Sequence, residues 1–133
     1  MSSKILIFML YYILRKGGNI MLHQMKLQPK YFEFIENGTK RIELRLNDEK
    51  RSIIQLGDTI EFMKEPELTK KLTTKVVGLL RYNSFSELFN DFDISILADN
   101  SMSKEELLDV LQEFYTVEKQ KEYGVLGIRI EKI

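Results

Sequence analysis

Gly38-Thr39-Lys40-Arg41-Ile42-Glu43-Leu44-Arg45-Leu46 marks a change of period in the chain. Upstream, Tyr31, Phe32 and Ile35 recur at helical spacing behind Pro29, whose missing N–H costs nothing at the start of a helix. Gly38 then offers the left-handed residue that commonly ends one. From Lys40 to Leu46 the period becomes two. Ile42, Leu44 and Leu46 share one face, and Arg41, Glu43 and Arg45 share the other. The segment reads as a helix stop, a tight turn and a half-buried strand with a charged exposed face.

Working outward, Met25–Gln28 is a short extended segment before the helix. Asn47–Arg51 and Leu56-Gly57-Asp58 are turns, the second leading into a strand over Thr59–Met63 that Glu65-Pro66-Glu67 breaks. Leu72–Arg81 is rich in β-branched residues and reads as a strand, with Gly78 a candidate bulge. Ser84-Phe-Ser-Glu87 and Ser103-Lys-Glu-Glu106 are capping-box sequences, so a helix should start after each serine. In the second helix, Leu107, Val110, Leu111 and Phe114 form one apolar stripe suited to a core. Gly124–Ile133 alternates again and should form a closing strand. Early strands, inserted helices and a C-terminal strand imply an α+β fold with a small curved sheet or barrel. Burying both apolar faces should bring the loop after Tyr123 near the Gly38 turn.

At 133 residues the chain suits one domain. It has no cysteine, which excludes disulfides, thiolate metal sites and a Cys nucleophile. The single histidine, His23, cannot build a zinc site, and neither a metal nor a cofactor is expected. Net charge is zero but uneven. Residues 21–82 hold twelve Lys/Arg against nine Asp/Glu (+3), and residues 84–122 hold three against ten (−7). The acidic part reads as solvated helix surface, and an anionic ligand would meet the first part. Gripping a long duplex would need a more basic protein.

Ile5–Leu14 is an apolar run followed by Arg15 and Lys16, too short to cross a bilayer and without a cleavage site. Lys16-Gly17-Gly18-Asn19-Ile20-Met21 can be encoded by a string containing a bacterial ribosome-binding sequence ahead of ATG. The expectation is that Met21 is the native start, that residues 1–20 are a non-native leader, and that residues 21–133 are one cytoplasmic domain with no membrane contact. Codons other than GGA-GGN for Gly17 and Gly18 would oppose this.

The densest polar cluster is again Gly38 to Arg45. Lys40 and Arg45 can meet phosphate or carbonyl oxygens, and Glu43, flanked by arginines, can accept hydrogen bonds from a base or ribose. The plain structural alternative is a surface ion-pair ladder. Gly38-x-Lys40-x-x-Glu43-x-Arg45, then Gly57-Asp58-x-Ile60, then Tyr123-Gly124-Val125-Leu126-Gly127-Ile128 resembles the ASCH family, and the resemblance spans Met21 to Ile133. Met25-Lys-Leu-Gln-Pro29 and Leu46-Asn-Asp-Glu-Lys-Arg51 are similar to its stand-alone bacterial members. The resemblance implies a PUA-like mixed β-barrel with inserted helices and a cleft beside the glycine-lysine turn, where RNA is proposed to bind.

One subgroup of that family deacetylates N4-acetylcytidine with a lysine, a threonine and a glutamate. Lys40 matches the lysine, Glu43 stands at the threonine position, and Asp99 is the nearest match for the acid. A carboxylate can activate water, but it is not the same nucleophile. The expected function is therefore an RNA- or nucleotide-binding module using Gly38, Lys40, Glu43, Arg45 and, by stacking, Tyr123. The alternative is a hydrolase on a modified nucleoside or on RNA, with Lys40 and Glu43 catalytic. A ligand-free structural domain is the third possibility. Tyr82 and Asn83 are read as turn residues, and Lys26 and Gln28 as solvated.

Overall fold

The computed structural model describes residues 19–133, so the apolar run Ile5–Leu14 and all but the last two residues of the expected leader lie outside the described residues. Five strands and five helices follow in the order β1 (Leu22–Leu27), α1 (Pro29–Glu36), β2 (Ile42–Leu46), β3 (Thr59–Lys64), β4 (Lys71–Tyr82), α2 (Phe85–Asp91), α3 (Ile94–Leu97), α4 (Lys104–Phe114), α5 (Val117–Tyr123) and β5 (Val125–Lys132). The strands form one curled sheet ordered β1-β3-β4-β5-β2. The β1–β3 pair is parallel and the others are antiparallel, so the sheet is mixed as expected. β1 and β2 are its two edges and come together as the sheet curls.

Local signals match most of these elements. Pro29 opens α1, and Gly38 follows its end at φ 84° with its N–H on the Ile35 carbonyl. The β4–β5 register shifts between Val76 and Gly78, where a side chain on Gly78 would strike Arg129. Ser84 and Ser103 both cap helices, but only Ser103 and Glu106 form the reciprocal box. The short α3 and the polar α5 are additional to the expected elements. Asp93 and Thr116 cap them, accepting from Ser95 N and Lys119 N.

Two cores lie on opposite sides of β2 and β5. Inside the curl, Met25, Phe32, Ile35, Ile60, Phe62, Leu126, Ile128 and Ile130 pack together. Outside it, Ile42, Leu44 and Leu46 meet Phe85, Leu88, Leu97, Leu107 and Leu111 from the helices. Each fully buried side chain of this size contributes about 1.5–3 kcal/mol. Because the helices cover one face of β2 while the other turns toward β1, the charged face of β2 is not exposed as expected. Glu43 is 4% exposed.

The antiparallel β2–β5 register corrects a second expectation. Leu46 pairs with Val125 and Ile42 with Arg129, so Tyr123 sits beyond the Leu46 end of β2, away from the Gly38 turn. The Gly38 end meets the other end of β5, where Ile130 N donates to the Arg41 carbonyl. The Gly57-Asp58 turn has a structural role. Buried Asp58 pairs with His23 Nε2 at 2.8 Å and accepts from Gln55 N at 3.0 Å, which ties β1 to the turn before β3.

Candidate functional site

A cavity of about 270 Å³ opens at the seam between β1 and β2. Lys26, Leu27 and Gln28 form one lip, and Lys40, Glu43, Leu44 and Arg45 form the other. Leu107, Val110, Leu111 and Phe114 of α4 make an apolar wall, while Tyr31, Tyr115 and Glu65 complete the lining.

The polar side is a buried ion network. Glu43 Oε2 accepts from Arg45 Nε at 2.8 Å, and Oε1 lies 3.4 Å from Lys40 Nζ. Lys40 Nζ also donates to the carbonyls of Ile42 at 2.6 Å and Leu97 at 2.8 Å, which accounts for all three ammonium hydrogens. Arg45 Nη2 reaches across the seam to the Lys26 carbonyl at 2.9 Å. These pairs run along one strand and are buried, unlike a cross-strand surface ladder.

Burial pushes the Glu43 carboxyl up, but Arg45 and Lys40 together outweigh it and hold the group below the usual carboxylate range. For Lys40 the balance falls the other way: burial outweighs the attraction of Glu43, so its ammonium is easier to deprotonate than an exposed lysine's. Tyr31 and Tyr115 are both raised, first by burial and also by the Glu43 charge, with Arg45 opposing the rise at Tyr115. Two phenols therefore stand close to one ionised carboxylate. A flat ligand entering the seam would meet aromatic and apolar surface on one side and an anchored carboxylate and guanidinium on the other.

Of the site residues expected from sequence, Lys40, Glu43 and Arg45 are brought together. Gly38 lies at the end of α1 and shapes the turn without lining the cavity. Tyr123 is not in the lining either, because the register carries it past the far end of β2. The tyrosines that face the cavity are Tyr31 and Tyr115. Lys26 and Gln28, read as solvated, are at its lip. Asp99 lies outside it, its carboxylate accepting from Ser101 N at 2.9 Å in a local turn. Tyr82 instead donates to Asp91.

The α4 stripe is divided. Leu107 and Leu111 are core, but Phe114 is 58% exposed and continues the stripe as cavity wall. Its position in the last turn, one step beyond the core residues, is the available signal. Among the described residues no cluster of three or more His, Asp or Glu could hold a metal ion, and no helix is long and apolar enough to cross a membrane.

Comparisons with known proteins agree with this architecture. The chain is 40% identical to hypothetical protein PH0355, with a TM-score of 0.74, over 86% of this chain and 100% of that one. It is 39% identical to protein PF0455 from Pyrococcus furiosus, with a TM-score of 0.68, over 85% and 98%. A serine-to-alanine mutant of ZmASCH from Zymomonas mobilis shares the fold at 10% identity, with a TM-score of 0.57, over 83% and 67%. Among curated proteins, none matches the chain significantly. A model of the ASCH domain matches residues 25–133, and with its curled, PUA-like α+β sheet the chain belongs to the ASCH domain family.

Proposed function

We propose that this ASCH domain binds a single base of RNA, or a nucleotide, in the seam between β1 and β2. The observation that carries this reading is the cavity's two-sided lining: an apolar and aromatic wall facing a buried Lys40–Glu43–Arg45 network. Its volume of about 270 Å³, just below the roughly 300–1,000 Å³ of small-molecule sites, suits one flat ring system rather than a folded strand. Tyr31 and Tyr115 offer stacking surface, which is worth about 1–3 kcal/mol per base in single-strand binding.

Titration of ribonucleosides and short single-stranded RNAs, followed by calorimetry, tests this. Phe114→Ala is the informative variant because Phe114 is exposed and its loss leaves the core intact. Binding by the wild type that Phe114→Ala weakens supports the reading; no binding by any member of the panel ends it.

One observation favours a second reading, hydrolysis of an acylated nucleoside. Burial moves Lys40 toward the neutral amine that a catalytic lysine needs. Against it, the Lys40 hydrogens are committed to two carbonyls and Glu43. Product formation from acylated nucleosides in the same titrations decides between binding and turnover.

A further inference from the structure

The β1 lip of the cavity carries three polar side chains that the fold itself does not use. Lys26, Gln28 and Glu65 line the cavity, yet among the described residues none of these side chains makes a hydrogen bond or ion pair. On the other lip, by contrast, Lys40, Glu43 and Arg45 satisfy one another. The backbone beneath the three free groups is fixed. The Lys26 carbonyl accepts from Arg45 Nη2 at 2.9 Å, the Gln28 carbonyl from Phe32 N at 3.1 Å, and the Leu27 carbonyl from Glu65 N at 2.8 Å. That last bond sets Glu65 beside the residue between Lys26 and Gln28. Unpartnered side chains on a fixed backbone are preorganised for a ligand.

Their chemistry assigns them different parts of that ligand. The lining holds three cations, Lys26, Lys40 and Arg45, against two carboxylates, Glu43 and Glu65, a net of +1. Lys40 and Arg45 share Glu43, which leaves the Lys26 ammonium and its three donors for an anionic group such as a phosphate. An ionised Glu65 accepts hydrogen bonds only and repels phosphate, so its partners are neutral hydroxyl donors; the Gln28 amide can donate or accept. The α4 wall is apolar toward the cavity, and the helix carries Glu105, Glu106, Asp109 and Glu113 against Lys104. That wall suits a base and turns a phosphate away.

We propose that Lys26, Gln28 and Glu65 form a ribose-phosphate subsite at the β1 lip. The base lies against the α4 wall, Glu65 and Gln28 take the ribose hydroxyls, and Lys26 takes the attached phosphate. This rests on the base-binding reading and narrows its ligand to a phosphorylated ribonucleoside, with Glu65 reading the 2′-hydroxyl that separates RNA from DNA. The phosphate can be the monoester of a mononucleotide or a diester within RNA, since both present non-bridging oxygens.

The test titrates the four ribonucleosides, their 2′-deoxy counterparts, the ribonucleoside 5′- and 3′-monophosphates and dinucleoside monophosphates into the wild type, Glu65→Ala and Lys26→Gln. Ribonucleosides should bind the wild type about tenfold more tightly than deoxyribonucleosides, and Glu65→Ala should abolish that ratio. Adding a phosphate should tighten wild-type binding by a similar factor that shrinks as salt rises, and Lys26→Gln should remove the gain. A preference for monophosphates identifies a terminal phosphate, and a preference for dinucleotides identifies a diester. Equal binding of ribo- and deoxyribonucleosides, a ratio that survives Glu65→Ala, or a phosphate gain that survives Lys26→Gln would each overturn the subsite and leave the base-binding reading standing. Binding of no ligand in the series would remove both. Urea unfolding of the unliganded variants is an independent check. Midpoints equal to the wild type are expected because neither side chain has a partner in the fold, and a clearly lower midpoint would mean that the lip residues hold the structure rather than a ligand.

Discussion

Arg45 bridges two elements that no strand pairing joins: its Nη2 donates to the Lys26 carbonyl on β1 at 2.9 Å, while its Nε holds Glu43 on β2 at 2.8 Å. One rigid fork thus ties the seam's backbone to its buried carboxylate. An ammonium cannot serve both directions with the same planar geometry. Arg45→Lys should keep the charge but lose one of the two bonds, at a cost of about 1–2 kcal/mol in urea unfolding. An unchanged midpoint would show that the seam does not depend on the guanidinium.

Glu43 makes acid sensitivity predictable in sign. Although burial opposes it, Arg45 and Lys40 hold its folded-state value below the ordinary 4.5, so the unfolded chain takes up its proton first as pH falls. The stability it contributes is fully present above pH 4.5 and is lost as pH drops through the depressed folded value. In urea unfolding between about pH 7 and about pH 3, the gap between wild type and Glu43→Gln should narrow once pH falls below that range. A gap that stays constant across the series would contradict the assignment.

Two glycines with positive φ should respond differently to asparagine. Gly38, at φ 84°, follows the end of α1, where asparagine is an accepted left-handed residue, and a side chain there would meet no atom within 4 Å. Gly38→Asn is expected to cost under about 1 kcal/mol. Gly124 has φ 74° and ψ 179°, a conformation essentially limited to glycine, and its Cβ would lie 3.2 Å from the Tyr82 carbonyl. Gly124→Asn should cost about 1–3 kcal/mol, and thermal melts of the two variants compare them directly.

Leu107 and Phe114 separate stability from binding on one helix. Leu107→Ala removes a side chain that is 2% exposed and should cost about 2–5 kcal/mol. Phe114→Ala should change stability by no more than about 0.5 kcal/mol while weakening whatever ligand the cavity takes. Denaturation and titration of the same two proteins check both halves; a large stability loss for Phe114→Ala would place that ring in the core.

Much of the fold is legible because its signals are local. Pro29 and Gly38 bound α1, two serines cap helices, Gly78 marks a register shift, and alternation reveals the strands. The helix α5 escapes a reading by pattern because its sequence, VEKQKEY, shows no apolar stripe, and α3 because four residues are too few to display a period. At the site, Lys40, Glu43 and Arg45 are legible because all three fall within six residues of one strand and its lead-in. Tyr31 and Tyr115 are not, since 84 residues separate them and only the packing of α4 over the seam brings both to one carboxylate.

Local sequence dictates the strands and the capped helices, the two-residue period of Ile42, Leu44 and Leu46, and the charged run from Lys40 to Arg45. Those follow from neighbours in the chain, through backbone conformation and side-chain alternation. Which way the charged face of β2 points was decided only by tertiary structure. Helices covering Ile42 and Leu44 leave Glu43 only 4% exposed, and curling of the sheet brings β1 opposite it across the cavity. The same residues on a flat sheet would be a solvated ladder of little energetic weight. Buried, they form a paired network.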